Sequence, residues 1–130
     1  MSTLGYFECL KLFKDNIIKF FDALIEQFPD EPDFIVTRIF FENQIPVEEA
    51  LIKFSDRIVP CAEMIRNKDE SFFLNSNDIF RGVKEEKVNH FRSLWRSGKL
   101  SKDDKDQMLR WFKLFVGICE NFEKHRQNPS

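Results

Sequence analysis

The chain has 130 residues, a common length for one domain, and its net charge of −2 with 42% apolar residues excludes disorder and a polyelectrolyte. Glycine and proline together number nine, threonine two and valine six, which argues against a β-sandwich or barrel. Sixteen of the nineteen aromatic residues are phenylalanine, so we expect a phenylalanine-rich core. We predict one helical domain over residues 1–130, with a frayed tail at about 126–130.

The first predicted helix begins at Tyr6 and ends near Phe28, because Pro29 and Pro32 stop it. Apolar side chains recur there in steps of three and four residues, as they do on one face of a helix. These side chains are Tyr6, Leu10, Phe13, Ile17, Phe20, Leu24 and Phe28. The stripe is wide enough for a helix in a bundle.

Two further helices are predicted before the middle of the chain. A short one covers residues 33–43, with Asp30 or Asp33 as its N-terminal cap. Its apolar repeat consists of Phe34, Ile35, Ile39 and Phe40, flanked by Val36 and Phe41. The next helix starts at Pro46, and its apolar phase continues beyond Pro60. Because proline cannot donate a backbone hydrogen bond, we predict one helix that is kinked at Pro60.

The second half of the chain contains a predicted hinge and two longer helices. Turn-forming residues cluster at 67–78, which we interpret as the main internal hinge. The helical stripe after the hinge ends at Trp95, and Gly98 then suits a left-handed cap. Ser101 and Asp104 resemble a capping box at the start of the last helix. The pattern as a whole predicts an all-α, single-domain bundle of five to six helices.

The sequence contains no recognisable catalytic, cofactor or metal motif. The two histidines, His90 and His125, lack a second histidine at helical spacing, and no glycine-rich phosphate loop occurs. The three cysteines, Cys9, Cys61 and Cys119, are far apart and form no CxxC pair, so we expect reduced packing cysteines. We therefore predict a protein that is not an enzyme, with no cofactor, no metal site and no small-molecule substrate.

Charge is distributed unevenly along the chain. Residues 1–65 carry 6 basic and 12 acidic side chains, whereas residues 66–130 carry 14 basic and 10 acidic ones. The basic half offers an alternative function, a nucleic-acid-associated protein that contacts phosphates, with Trp95 stacking on a base if it is exposed. The candidate contacts are Arg92, Arg96, Lys99 and Lys102, with Lys84 and Lys87 as further candidates.

The leading hypothesis is a non-enzymatic helical protein-interaction or structural module. Several phenylalanines have no secure inward position in the predicted helices, and they define a candidate partner surface. They are Phe7, Phe41, Phe72 and Phe73. The expected partner is another protein or a second copy of the chain. No secretory signal or stretch long enough to cross a bilayer is recognisable, so we expect a soluble intracellular protein without a membrane partner.

Two stretches resemble a group of viral proteins. They are FDALIEQFPDEPDF, from Phe21 to Phe34, and FRSLWRSGKLSKDDKDQMLRWFKLF, from Phe91 to Phe115. Both look like small uncharacterised all-helical proteins of large double-stranded DNA viruses of algae and protists. The resemblance implies a virally encoded helical protein in the host cell or the virion, and it implies no active-site residue.

Overall fold

The computed structural model describes residues 5–67 and 84–127, and every regular element in those two ranges is helical. The prediction of an all-α fold is confirmed for this part of the chain. The elements are α1 (Tyr6–Gln27), α2 (Pro32–Ile39), a π-helix (Phe40–Gln44), α3 (Val47–Ile58), a 3₁₀ turn (Val59–Cys61), α4 (Ala62–Arg66), α5 (Glu85–Arg96) and α6 (Lys102–Gln127).

Contacts between residues divide the chain into two compact units. The first unit comprises Met1–Ser55 and Gly117–Ser130, and the second unit comprises Asp56–Val116.

Helix α1 is the central element of the first unit, and its inward face matches the predicted stripe. Its buried side chains lie three or four residues apart, and they are Cys9, Phe13, Ile17, Phe20 and Leu24. Tyr6 and Leu10, which we also assigned to the stripe, are half-buried. The helix starts after Gly5, whose backbone N–H donates to Glu8 Oε1 over 3.2 Å, and a carboxylate there also suits the positive end of the helix dipole.

Helix α2 runs antiparallel to α1. Phe34, near the start of α2, lies against Phe28, which follows the end of α1, with ring centroids 6.2 Å apart. Arg38, one turn further along α2, reaches back to Asp22 in α1. Pairing of later α2 residues with earlier α1 residues is what an antiparallel helix pair requires.

The predicted N-terminal cap of the second helix was wrong. The cap residue is Glu31 rather than Asp30 or Asp33, and none of its side-chain atoms bonds to the helix backbone. Pro32 occupies the first helical turn, where its fixed φ suits a helix and its missing N–H leaves one fewer donor to satisfy. A side-chain cap is therefore less important at this end than the sequence pattern indicated.

We predicted one helix kinked at Pro60, and the structure has two α-helices separated by a 3₁₀ turn at this proline. Helix α3 ends at Ile58, the 3₁₀ turn Val59–Cys61 follows, and α4 begins directly afterwards with Ala62, whose N–H donates to Val59 O. The tighter turn accommodates a residue without a backbone donor and lets helical structure resume at once. Ile65 in α4 is fully buried, so the apolar phase survives the interruption.

The link between α5 and α6 has the predicted capping residues. Gly98 adopts a φ of +83°, a conformation that L-amino acids with a side chain rarely adopt. Ser101 and Asp104 exchange two hydrogen bonds of 3.1 Å between side chain and backbone, which confirms the capping box. Helix α6 then extends to Gln127, beyond the start of the predicted frayed tail.

The remaining sequence predictions fall outside the described residues. Residues 68–83 contain nearly all of the predicted hinge and the start of the stripe that we placed before α5. Residues 128–130 contain the end of the predicted tail.

Candidate interaction surfaces

One apolar side of helix α2 and of the π-helix after it faces α1. The Phe41 ring stacks on Phe21 with centroids 5.8 Å apart, and it meets Phe13 edge-on at 6.2 Å. Phe13 in turn lies 5.4 Å from Phe54 of α3. Aromatic pairs at these separations stabilise a core in addition to the free energy gained by burying their surface. These rings fix α2 against the rest of the first unit.

A second apolar side of α2 is exposed to solvent. Ile35, Val36, Ile39 and Phe40 keep between 41% and 49% of their surface accessible, and Ile45 keeps 37%. Pro32 is exposed as well. We define the α2 surface as Pro32, Ile35, Val36, Ile39, Phe40 and Ile45. A helix that is apolar on both sides is normally covered on both.

The spacing of these residues explains why they form one surface. At 3.6 residues per turn, positions 35, 36, 39 and 40 lie on one side of a helix within about 140°. Phe34 falls on the opposite side, toward α1. The π-helix begins at Phe40, and the N–H of Ile45 donates to Phe40 O over 2.9 Å, five residues back. This wide turn separates Phe40, on the outer side, from Phe41, which packs inward; π-turns are rare and recur at functional sites.

The stretch of chain that contains the α2 surface is strongly acidic. Residues 26–49 contain seven acidic side chains and one basic one, Arg38. Arg38 Nε donates to Asp22 Oδ1 over 2.5 Å, and a terminal guanidinium nitrogen donates to Glu42 Oε2 over 2.6 Å. The hydrogen bond to Asp22 is the main reason that the pKa of Arg38 is raised. The one basic residue of this stretch is thus engaged by two carboxylates.

The structure describes two of the four phenylalanines of the predicted partner surface, and they differ in exposure. Phe7 is 80% exposed, and its ring meets that of Tyr6 edge-on at 5.5 Å. Phe41 is half-buried and packs on α1, so its ring belongs to the inner side of α2 rather than to an exposed surface. Phe72 and Phe73 lie outside the described residues.

The predicted basic contacts lie in the second unit. Arg96, Lys99 and Lys102 are exposed, whereas Arg92 is half-buried. Trp95 is only 2% exposed, and Lys105 Nζ lies 5.6 Å from the centroid of its ring. A base cannot stack on a buried indole, so of the two expected contributions to nucleic-acid binding, stacking and phosphate contact, only phosphate contact is compatible with this geometry.

Two buried thiols and a tyrosine of the first unit have raised pKa values. Cys9 and Cys119 are buried, free thiols, and burial raises both of their pKa values, that of Cys119 to about 12. A thiol that stays protonated at neutral pH is a poor nucleophile. The hydroxyl of Tyr6 donates to Glu48, and this hydrogen bond raises the pKa of the tyrosine.

The buried hydroxyl of Ser55 finds its hydrogen-bond partner within the first unit. Ser55, which is 1% exposed, donates to Glu123 Oε1 over 2.9 Å, and Arg126 donates to the same oxygen over 2.8 Å. Cys61, in the second unit, is the third buried free thiol. Within the described ranges, no cluster of three or more histidine, cysteine or carboxylate side chains is arranged to hold a metal ion.

No helix in the described part of the chain combines the length and apolar character needed to cross a bilayer. No protein-family model matches the chain, and neither the curated proteins nor the solved structures contain a match.

Sequence reasoning missed the α2 surface as a binding candidate. We read Ile35, Ile39 and Phe40 as one apolar repeat together with Phe34, although the structure places Phe34 on the inner side and the other three on the outer side. The available signal was the breadth of the pattern, because six of the eight residues from 34 to 41 are apolar. One helix face cannot contain all of them.

Proposed function

We propose that this protein is a non-enzymatic helical interaction module that binds another protein through the α2 surface. The observation that carries the proposal is the two-sided apolar character of α2, of which one side packs on α1 and the other is about half exposed. Contiguous apolar surface of this kind is typical of protein-binding sites. The π-helix at one end of the surface supports the same interpretation.

The α2 surface can supply part of the free energy that binding requires. Full burial of an aliphatic or phenylalanine side chain contributes about 1.5–3 kcal/mol, so covering the exposed half contributes roughly 1 kcal/mol. The five large side chains of the surface together provide about 4–6 kcal/mol. Association costs about 4–15 kcal/mol, so a partner has to contribute an apolar face of its own.

Other parts of the sequence-based hypothesis stay predictions. They are a viral origin, expected from the resemblance of two stretches, and an intracellular location. We do not propose nucleic-acid binding, because Trp95, the residue expected to stack on a base, is buried.

Site-specific photo-crosslinking in the cell that produces the protein tests the proposal. A photoreactive phenylalanine analogue is placed at Val36, on the α2 surface, and for comparison at Ser93, an exposed position on α5. We expect a discrete protein adduct from position 36 and none of that mass from position 93.

Two substitutions make this result specific to the surface. Ile39→Asp should abolish the adduct from position 36, whereas Leu114→Asp should leave it unchanged, because Leu114 is a similarly exposed apolar residue on α6. Identical adducts from both positions, or an adduct that survives Ile39→Asp, would contradict binding through the α2 surface.

A further inference from the structure

We propose that the partner docks on the α2 surface as a basic amphipathic helix. This inference rests on the proposed function and adds the chemistry of the ligand. Two features meet at the site: an outward apolar stripe, and an acidic border that includes the exposed side chains of Asp30, Asp33 and Glu42.

The shape of the surface favours a helical ligand. An extended peptide binds by adding to the free edge of a sheet, and the first unit offers only helices among its described residues. A stripe formed by positions 35, 36, 39 and 40 presents ridges along a helix. Such ridges pack against the grooves of another helix, whose anchors recur at positions i, i+3 or i+4, and i+7.

The charge around the surface favours a basic ligand. Residues 26–49 have a net charge of −6, and the side chains of Asp30, Asp33 and Glu42 are exposed. This net charge already counts Arg38, whose guanidinium is held by Asp22 and Glu42 at 2.5 Å and 2.6 Å. Lysine or arginine side chains beside the apolar anchors of a ligand would complement the border.

The same charge argues against two other occupants. A symmetric dimer through the α2 surface would place two segments of net charge −6 against each other, and like charges at an interface disfavour association. An acidic border is also the opposite of the lysine- and arginine-rich face with which amphipathic helices bind anionic membranes. A basic helix of a protein partner satisfies both the apolar stripe and its border.

Two designed peptides of 18 residues test this inference with the full-length protein. Both have leucine along one helical face, and the other positions are lysine in one peptide and glutamate in the other. Fluorescence anisotropy measures the affinity of each labelled peptide at 50 mM and 300 mM NaCl, and amide chemical shifts locate the binding site. We expect the lysine peptide to bind at least tenfold more tightly, with shifts centred on α2 and a weaker affinity at the higher salt concentration.

Matched variants separate specific docking from general attraction to an acidic protein. The double change Val36→Ser and Ile39→Ser should weaken binding of the lysine peptide at least tenfold, whereas Leu114→Ser should not change it. The double change Asp30→Asn and Asp33→Asn should leave the shifts on α2 but reduce the salt dependence. An affinity for the lysine peptide that is unchanged by the Val36 and Ile39 substitutions would overturn the inference.

The remaining outcomes distinguish failure of this inference from failure of the proposed function. Equal binding of both peptides at α2 would overturn the basic ligand while supporting a docking surface. Self-association of the protein that Val36→Ser and Ile39→Ser abolish, without any preference between peptides, would replace the ligand by a second copy. Absence of peptide binding, together with a monomeric protein and no photo-adduct at position 36, would overturn both proposals.

Discussion

Truncation of two phenylalanines on the same helix provides the sharpest test of the fold. Phe13 is fully buried in α1, and its ring contacts Phe41 and Phe54 at 6.2 Å and 5.4 Å. Replacement of a buried phenylalanine by alanine costs about 3–5 kcal/mol, because burial is lost and a cavity remains. Phe7 is 80% exposed, so only a fifth of its own surface is buried, and its truncation should cost less than about 1 kcal/mol.

Urea unfolding followed by circular dichroism at 222 nm measures the difference between the two variants. With a denaturant dependence of about 2 kcal/mol per molar urea, Phe13→Ala should lower the midpoint by about 2 M and Phe7→Ala by less than about 0.5 M. If Phe13→Ala does not fold, Phe13→Leu should still fold, with a loss of about 1 kcal/mol. A loss for Phe7→Ala as large as that for Phe13→Ala would refute the assignment of Phe7 to the surface and of Phe13 to the core.

Three further predictions follow from local features. Gly98→Ala should destabilise the protein by about 1–2 kcal/mol in urea unfolding, because Gly98 has a φ of +83°. Gly117→Ala should stabilise it by about 0.5–1 kcal/mol, because Gly117 lies inside α6 and has open space where a Cβ atom would be. A change of the same sign in both variants would contradict these two assignments. Burial raises the pKa of Cys119 from 9.0 to about 12, so the unfolded chain loses this proton first and the free energy of unfolding falls as pH rises between those values. This decline should be shallower for Cys119→Ala by about 1.4 kcal/mol per pH unit. Parallel pH profiles of the two proteins would contradict the burial of Cys119. Arg38→Gln should lower the urea midpoint at 50 mM NaCl and have a smaller effect at 1 M NaCl, since its pairs with Asp22 and Glu42 are partly exposed and salt screens them; an effect independent of salt would indicate packing instead.

Local signals in the sequence predicted much of the backbone. The left-handed glycine at Gly98 and the capping box of Ser101 and Asp104 depend on residues a few positions apart, and the structure confirms both. The interruption at Pro60 follows from the covalent structure of one residue. The apolar stripe of α1 was equally predictable, because its apolar side chains recur every three or four residues.

The orientation of α2 could not be predicted in the same way. A short helix with apolar side chains all round has no local feature that distinguishes its inner side from its outer side. The choice is made by distant partners, since Phe41 packs on Phe13 and Phe21 of α1. The π-helix depends on a hydrogen bond from Ile45 to Phe40, and no residue pattern that we recognised in the sequence indicates it.

The two sides of α2 differ in composition, and that difference bears on how binding and stability are related. The inner side uses aromatic rings, Phe34 and Phe41, whose contacts with α1 hold the helix in place. The outer side is mainly aliphatic, and its side chains already have about half of their surface in water. Changes on the outer side are therefore expected to leave the contacts that position the helix in place, so that they test the proposed binding separately from stability. Changes on the inner side alter both, because a binding surface presented by a misplaced helix loses its shape.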